Sequence, residues 1–122
     1  MIQFLYHDGV RKEIATLERR FRTLRKGLSI FERLCEIQFN PVKPSQVIAS
    51  AKLHRIKQSD VWTLWKVELA IPHSGLRPNQ WPRMWFAVKG TIITFLCISS
   101  HIDNYNDEEM NQLALSRVSD FF

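Results

Sequence analysis

The chain has 122 residues, 45% hydrophobic and 24% charged. That is the profile of an ordinary soluble globular chain, long enough to bury one core without disulfide or metal staples. Seventeen Lys and Arg against twelve Asp and Glu leave a net charge of +5 and a pI near 9.6. This balance favours an anionic partner such as nucleic acid, a phosphorylated ligand or an acidic protein, the alternative being a solvated basic surface with no partner.

Ile2 to Tyr6 reads as an opening strand. Asp8 is the expected N-cap of a helix carrying Val10, Ile14, Leu17, Phe21, Leu24 and Leu28. Their spacing of 4, 3, 4, 3 and 4 is one continuous helical stripe, read as core packing because it is too short for a coiled-coil seam. Gly27 is expected as a left-handed C′ residue closing that helix. Ser29-Ile-Phe-Glu32 reads as a capping box opening a second helix, with Ile30, Phe31, Leu34 and Ile37 on its buried face. Asn40-Pro41 and Pro44 then close an αα-hairpin.

Beyond Pro44 the hydrophobic period drops to two. Val47–Ile56 and Trp62–Ile71 are the next expected strands, the second with Trp65, Val67, Leu69 and Ile71 on one face. Pro72, Gly75, Pro78 and Pro82 make a loop, since proline cannot donate to a central ladder. Arg83–Lys89 and Thr91–Ser99 form a hairpin about Lys89-Gly90. A last helix starts at Asn106, with Asp107, Glu108 and Glu109 at its positive end and Met110, Leu113, Ala114, Val118 and Phe121 on its apolar side. The order β-α-α-β-β-β-β-α implies one α+β domain over residues 1–122. In it an N-terminal αα-hairpin packs on a twisted, mainly antiparallel sheet with a short C-terminal helix.

The longest apolar stretch, Ile92 to Ile98, is too short to span a bilayer. Charges at Asp8 and Arg11 precede any long apolar run, so no signal peptide is expected. Cys35 and Cys97 lie in apolar runs without metal spacing, as buried free thiols of a reducing compartment; the expected location is cytoplasmic.

The strand region is basic: Lys52, Arg55, Lys57, Lys66, Arg77, Arg83 and Lys89 face only Asp60 and Glu68. Strand side chains alternate faces, so several of these cations are expected to share one concave surface. On it Lys52, His54, Arg55, Lys57, Arg77 and Lys89 are candidate RNA contacts. Trp81, in the proline-rich loop, is the aromatic expected to be exposed as a stacking platform. The cations of the helical hairpin read as an ordinary solvated face.

No P-loop, Rossmann fingerprint, G-x-S-x-G, H-E-x-x-H or C-x-x-C is present, and His7, His54, His73 and His101 lack metal-ligand spacing. Neither a metal nor a small-molecule cofactor is expected. A Cys97–His101 nucleophile and base is disfavoured, because an apolar strand hides a thiol and raises its pKa. Metal-independent RNA cleavage needs a group to take the 2′-OH proton, cations to neutralise the phosphorane, and an acid for the leaving 5′-oxygen. His101 and Tyr105 have the proton chemistry, with neighbouring cations expected to stabilise a tyrosinate, and Lys66 and Arg83 supply charge. On spacing alone, His101 reads as a carbonyl-bonding residue before a helix in preference to a catalytic group, and Tyr105 can likewise be a packed core tyrosine.

The ordered set of a basic αα-hairpin, Leu53-His-Arg-Ile56, Trp65-Lys-Val-Glu-Leu69, an Arg83-led aromatic strand, an apolar strand to Ile98, His101…Tyr105 and Leu113-Ala-Leu-Ser-Arg117 resembles the RelE/ParE superfamily of bacterial type II toxins. It is most similar to the RelE/HigB-like mRNA interferases. The resemblance implies a RelE-like fold and an endoribonuclease that enters the ribosomal A site, cuts mRNA, inhibits translation and is neutralised by a cognate antitoxin. It places the family's strand lysine at Lys66, its hairpin arginine at Arg83 and its C-terminal tyrosine at Tyr105, with His101 where a basic or histidine residue follows the last strand. Glu68 stands where relatives commonly carry a second strand cation, and the loop from Pro72 to Pro82 is longer than in compact members. A ParE-like gyrase inhibitor acting by protein contact, and a non-catalytic RNA- or protein-binding domain, are the other readings.

Overall fold

The computed structural model describes residues 2–100 and 105–122. Strand β1 (Gln3–Tyr6) leads into helix α1 (Asp8–Leu17) and then α2 (Leu24–Gln38). Four strands follow: β2 (Leu53–Gln58), β3 (Thr63–Glu68), β4 (Arg83–Lys89) and β5 (Ile92–Ser99), with helix α3 (Asp107–Val118) last. The sheet order is β1-β5-β4-β3-β2. β1 runs parallel to β5 from Gln3↔Ile92 to Tyr6↔Phe95, and every other pairing is antiparallel. The fold is thus α+β, three helices on a five-stranded mixed sheet among the described residues.

Both sheet faces are covered, which is why β4 and β5 read as near-continuous apolar runs rather than alternating ones. On one face Val10, Ile14, Phe21, Leu24, Leu28 and Phe31 meet Val67, Met84, Phe86, Ile93 and Phe95. On the other, Ala114 and Val118 of α3 lie over Leu64, Trp85, Ala87, Leu96 and Cys97. Glu13 and Arg117 join the layers. The Arg117 guanidinium bonds Glu13 and the Leu96 carbonyl, while Glu13 Oε1 accepts from Ile98 N at 3.1 Å. β1 ends opposite Phe95, so the carboxylate serves a β5 amide beyond the reach of that neighbour.

Several expected boundaries are corrected. The stripe from Val10 to Leu28 is buried throughout, yet the helix breaks after Leu17 and restarts at Leu24. Arg19, Arg20 and Arg22 crowd the junction with like charge, and Thr23 Oγ1 donates to the Pro72 carbonyl at 2.6 Å instead of capping α2. Gly27 is interior to α2 and not a C′ residue. A Cβ there would lie 2.6 Å from the Ala70 carbonyl oxygen, so glycine permits the close approach of helix to chain. Ser29 and Glu32 likewise start no helix. Because Leu24, Leu28, Phe31 and Cys35 set the buried phase of α2, Ile30 and Ile37 are left outward, 40% and 45% exposed. The N-cap of α1 is His7, not Asp8: its Nδ1 accepts from Gly9 N at 2.9 Å, which leaves Nε2–H to meet Asp120 Oδ2 at 2.7 Å. β2 begins at Leu53, since the stretch before it is held by Gln38 Oε1, which accepts from Val47 N and Ile48 N. β3 stops at Glu68, although Leu69 and Ile71 stay buried. At the far end, Asn106 caps α3 as expected, its Oδ1 accepting from Glu109 N at 3.0 Å.

Candidate functional site

Strand alternation and register put the chemistry-bearing residues together. Lys66 pairs with Trp85 and Glu68 with Arg83 across β3 and β4, so all four belong to the face that α3 covers. The helix covers Trp85, whose Nε1 donates to Asn111 Oδ1 at 2.8 Å, but it begins only at Asp107. The end of the sheet where β3 finishes and β4 starts is approached by Tyr105 instead. Its ring stands edge-on to Trp85, with centroids 5.8 Å apart. Lys66 Nζ lies 5.9 Å from the Trp85 ring and 3.2 Å from Asp107 Oδ1.

Arg83 is 7% exposed. One guanidinium nitrogen donates to the Trp81 carbonyl, and the other lies 3.5 Å from both the Asn79 carbonyl and Glu68 Oε1. The carboxylate distance is long for a charge-assisted bond, so the Trp81 carbonyl orients the arginine more firmly than the Glu68 ion pair does. Two cations thus stand beside two carboxylates, each within ion-pair reach of one.

The expectation that neighbouring cations would ease Tyr105 toward its anion is not met. Its phenol is raised above the ordinary tyrosine range, first by burial and then by Asp107, with Arg83 acting in the opposite direction. A phenol held protonated is a proton donor at neutral pH. His101 lies outside the described residues.

The remaining candidate RNA contacts do not share one surface. His54 and Lys57 pair with Lys66 and Leu64 and belong to the α3 face. Arg55 pairs with Trp65 on the opposite face and donates to Gln58 Oε1. Lys52 lies 4.5 Å over the Trp81 ring in the cleft beneath α2. That lysine and the core therefore cover Trp81, and it is not the open platform expected. Lys89 ends β4 at the opposite end from Arg83 and sits over Phe122. Arg77 is exposed in the loop. The single concave basic surface is absent because α3 fills most of that face and a bulge between Arg55 and Lys57 shifts the edge strand.

Cys97 is buried and its thiol is raised well above the ordinary range by that burial, which leaves it inert as a nucleophile. Among the described residues no group of His, Cys, Asp and Glu could hold a metal ion. None of their helices is long and apolar enough to cross a membrane. Sequence reasoning missed Asp107 and Asn111 as neighbours of Lys66 and Trp85, 41 and 26 positions away. The acids of α3 carried only a helix-dipole signal. Comparison with protein-family models, curated proteins and solved structures returned no match.

Proposed function

We propose that the protein is an RNA-cleaving toxin of the RelE/HigB-like kind, with its reactive centre where Lys66, Arg83 and Tyr105 meet at one end of the sheet. The observation that carries the reading is this convergence: a lysine, an arginine and a protonated phenol, from two strands and the segment before α3, beside one another without a metal-ligand cluster in the described residues. The parallel β1–β5 pairing, with α1 and α2 following β1 in the chain, supports the RelE-like arrangement.

In the proposed reaction the substrate 2′-oxygen loses its proton, attacks phosphorus, and the 5′-oxygen leaves with a proton. Tyr105 supplies that last proton. Lys66 and Arg83 stabilise the phosphorane, whose greater charge displaces Asp107 and Glu68 from them. His101 remains the candidate for the first proton, with the Glu68 carboxylate the alternative base within the cluster. The ribosomal A site and a cognate antitoxin belong to the same proposal.

The ion pairs Lys66–Asp107 and Arg83–Glu68 favour one competing reading, a ParE-like protein that works by contact with gyrase. Induced expression in bacterial cells separates the two. Growth arrest with primer-extension stops inside translated messages supports the nuclease. Arrest with intact messages and altered DNA topology replaces it with the gyrase inhibitor.

A further inference from the structure

Four of the chain's five net positive charges are concentrated in nine residues that the site above does not use. From Glu18 to Lys26, at the break between α1 and α2, stand Arg19, Arg20, Arg22, Arg25 and Lys26 against one acid. All five cations are exposed, and Arg25 is held by Glu18 at 2.6 Å. Helix stability does not account for them: α2 has no side-chain cap, no acid in its first turn, and Arg25 and Lys26 at its positive end, which is electrostatically unfavourable.

The loop after β3 adds to the patch. Thr23 ties the turn to Pro72, and a hollow of about 430 Å³ is lined by Arg20, Arg22, Thr23, His73 and Ser74. His73 adopts φ 59, a left-handed conformation that non-glycine residues seldom hold without some constraint. Ile71, also in the hollow, is three positions past the end of β3 at Glu68, so the patch borders the end of the sheet that holds Arg83. Phe21, the aromatic within the turn, is buried. The patch therefore offers guanidinium, ammonium and hydroxyl donors around a single exposed ring, that of His73, a balance that suits the repeated phosphates of a duplex more than a run of unpaired bases.

We propose that the α1–α2 turn is a second RNA contact, which grips the phosphate backbone of a base-paired RNA helix while the sheet end acts on an unpaired strand. The choice of RNA rests on the cleavage reading above; the turn's grip is measured separately. The full chain is compared with the triple variant Arg19→Gln, Arg22→Gln, Lys26→Gln by fluorescence anisotropy on an RNA hairpin of about 16 base pairs. The expected result is a loss of affinity of tenfold or more at about 0.1 M salt, and a log–log salt slope smaller by about 2 to 3, roughly one per cation. The charge-keeping variant Arg19→Lys, Arg22→Lys should retain the binding, and thermal melts of all variants should coincide. Unchanged hairpin affinity in the triple variant overturns the inference. So does wild-type binding to duplex DNA as tight as to the RNA hairpin, or a charge dependence seen only on phosphatidylserine vesicles. Message cutting fails independently: a protein that binds the hairpin through these cations but cuts no RNA removes the nuclease reading and leaves the contact standing.

Discussion

At Arg83, position and burial pull against each other. The proposed cleavage asks this guanidinium to clamp a phosphate, yet it is almost wholly buried and holds the Trp81 and Asn79 carbonyls and Glu68. Truncation to alanine leaves those acceptors uncompensated, so Arg83→Ala should lose about 3 kcal/mol of stability in urea melts, near the lower end for a broken buried pair. Arg83→Lys keeps the charge and should retain most of that stability. Its cutting rate should still fall by about 10²–10³, because a point charge cannot reproduce the guanidinium fork. Equal activity of Arg83→Lys and wild type would remove Arg83 from the mechanism. Tyr105→Phe should lower the rate by about 10²–10⁴. Since burial and Asp107 raise this phenol, the wild-type rate should hold through neutral pH and decline only as pH rises past the ordinary tyrosine value of about 10. A pH–rate profile in which Tyr105→Phe keeps that alkaline limb would sink the acid role. Lys66, Arg83 and Tyr105 were candidates for their proton and charge chemistry and for the family resemblance that maps onto them, since spacing alone left Tyr105 equally readable as a core residue. Their acid partners were not, since no local pattern links Lys66 to Asp107 or foretells how deeply Arg83 is buried.

At the scale of elements, α2 shows what a hydrophobic stripe can and cannot say. Leu24, Leu28 and Phe31 were legible as inward-facing from their spacing alone, and the structure buries all three. The break after Leu17 was not legible, because apolar residues keep helical phase straight through it. Gly27 was misread for a related reason: a glycine near the end of a stripe looks like a terminator, whereas its role is to admit the Ala70 carbonyl. Two effects of opposite sign then compete in Gly27→Ala. Helix propensity favours alanine by about 1 kcal/mol. A Cβ 2.6 Å from a backbone oxygen requires helix and chain to separate, and overpacking of this kind costs about 1–3 kcal/mol. The neighbours met are the Ala70 carbonyl and the Pro72 ring, neither of them a flexible side-chain tip, so packing should win and the variant should be less stable by up to about 2 kcal/mol in urea. A more stable Gly27→Ala would mean that the helix is not seated this closely.

For the whole molecule, the α+β class was legible because helical and strand periods occupy different stretches of the chain. The parallel β1–β5 pairing was not, since it follows from where the chain returns after two helices and two hairpins. Burial of polar hydrogen has a global consequence that the fold makes calculable. Cys35 and Cys97 are both raised, first by burial and then by Glu32 and Glu13 respectively. Tyr6 is raised by burial and by its hydrogen bond to Glu32 at 2.5 Å. In the unfolded chain the thiols ionise near pH 8.5 and the phenol near 10. The folded state keeps these protons well beyond those values, so above about pH 8.5 it binds more protons than the unfolded state does. Stability is then fully present below that pH and falls as pH rises, with each thiol contributing up to about 1.4 kcal/mol per pH unit. Between pH 8 and 10 the two thiols together should lower the unfolding free energy by roughly 2–4 kcal/mol, and Tyr6 should steepen the loss above that. Urea unfolding under reducing conditions at pH 7.5, 9 and 10 measures it. The variant Cys35→Ala, Cys97→Ala starts less stable, because two small cavities open, but its limb between pH 8.5 and 10 should be much flatter. If wild type and variant lose stability in parallel over that interval, the thiols are not the groups responsible.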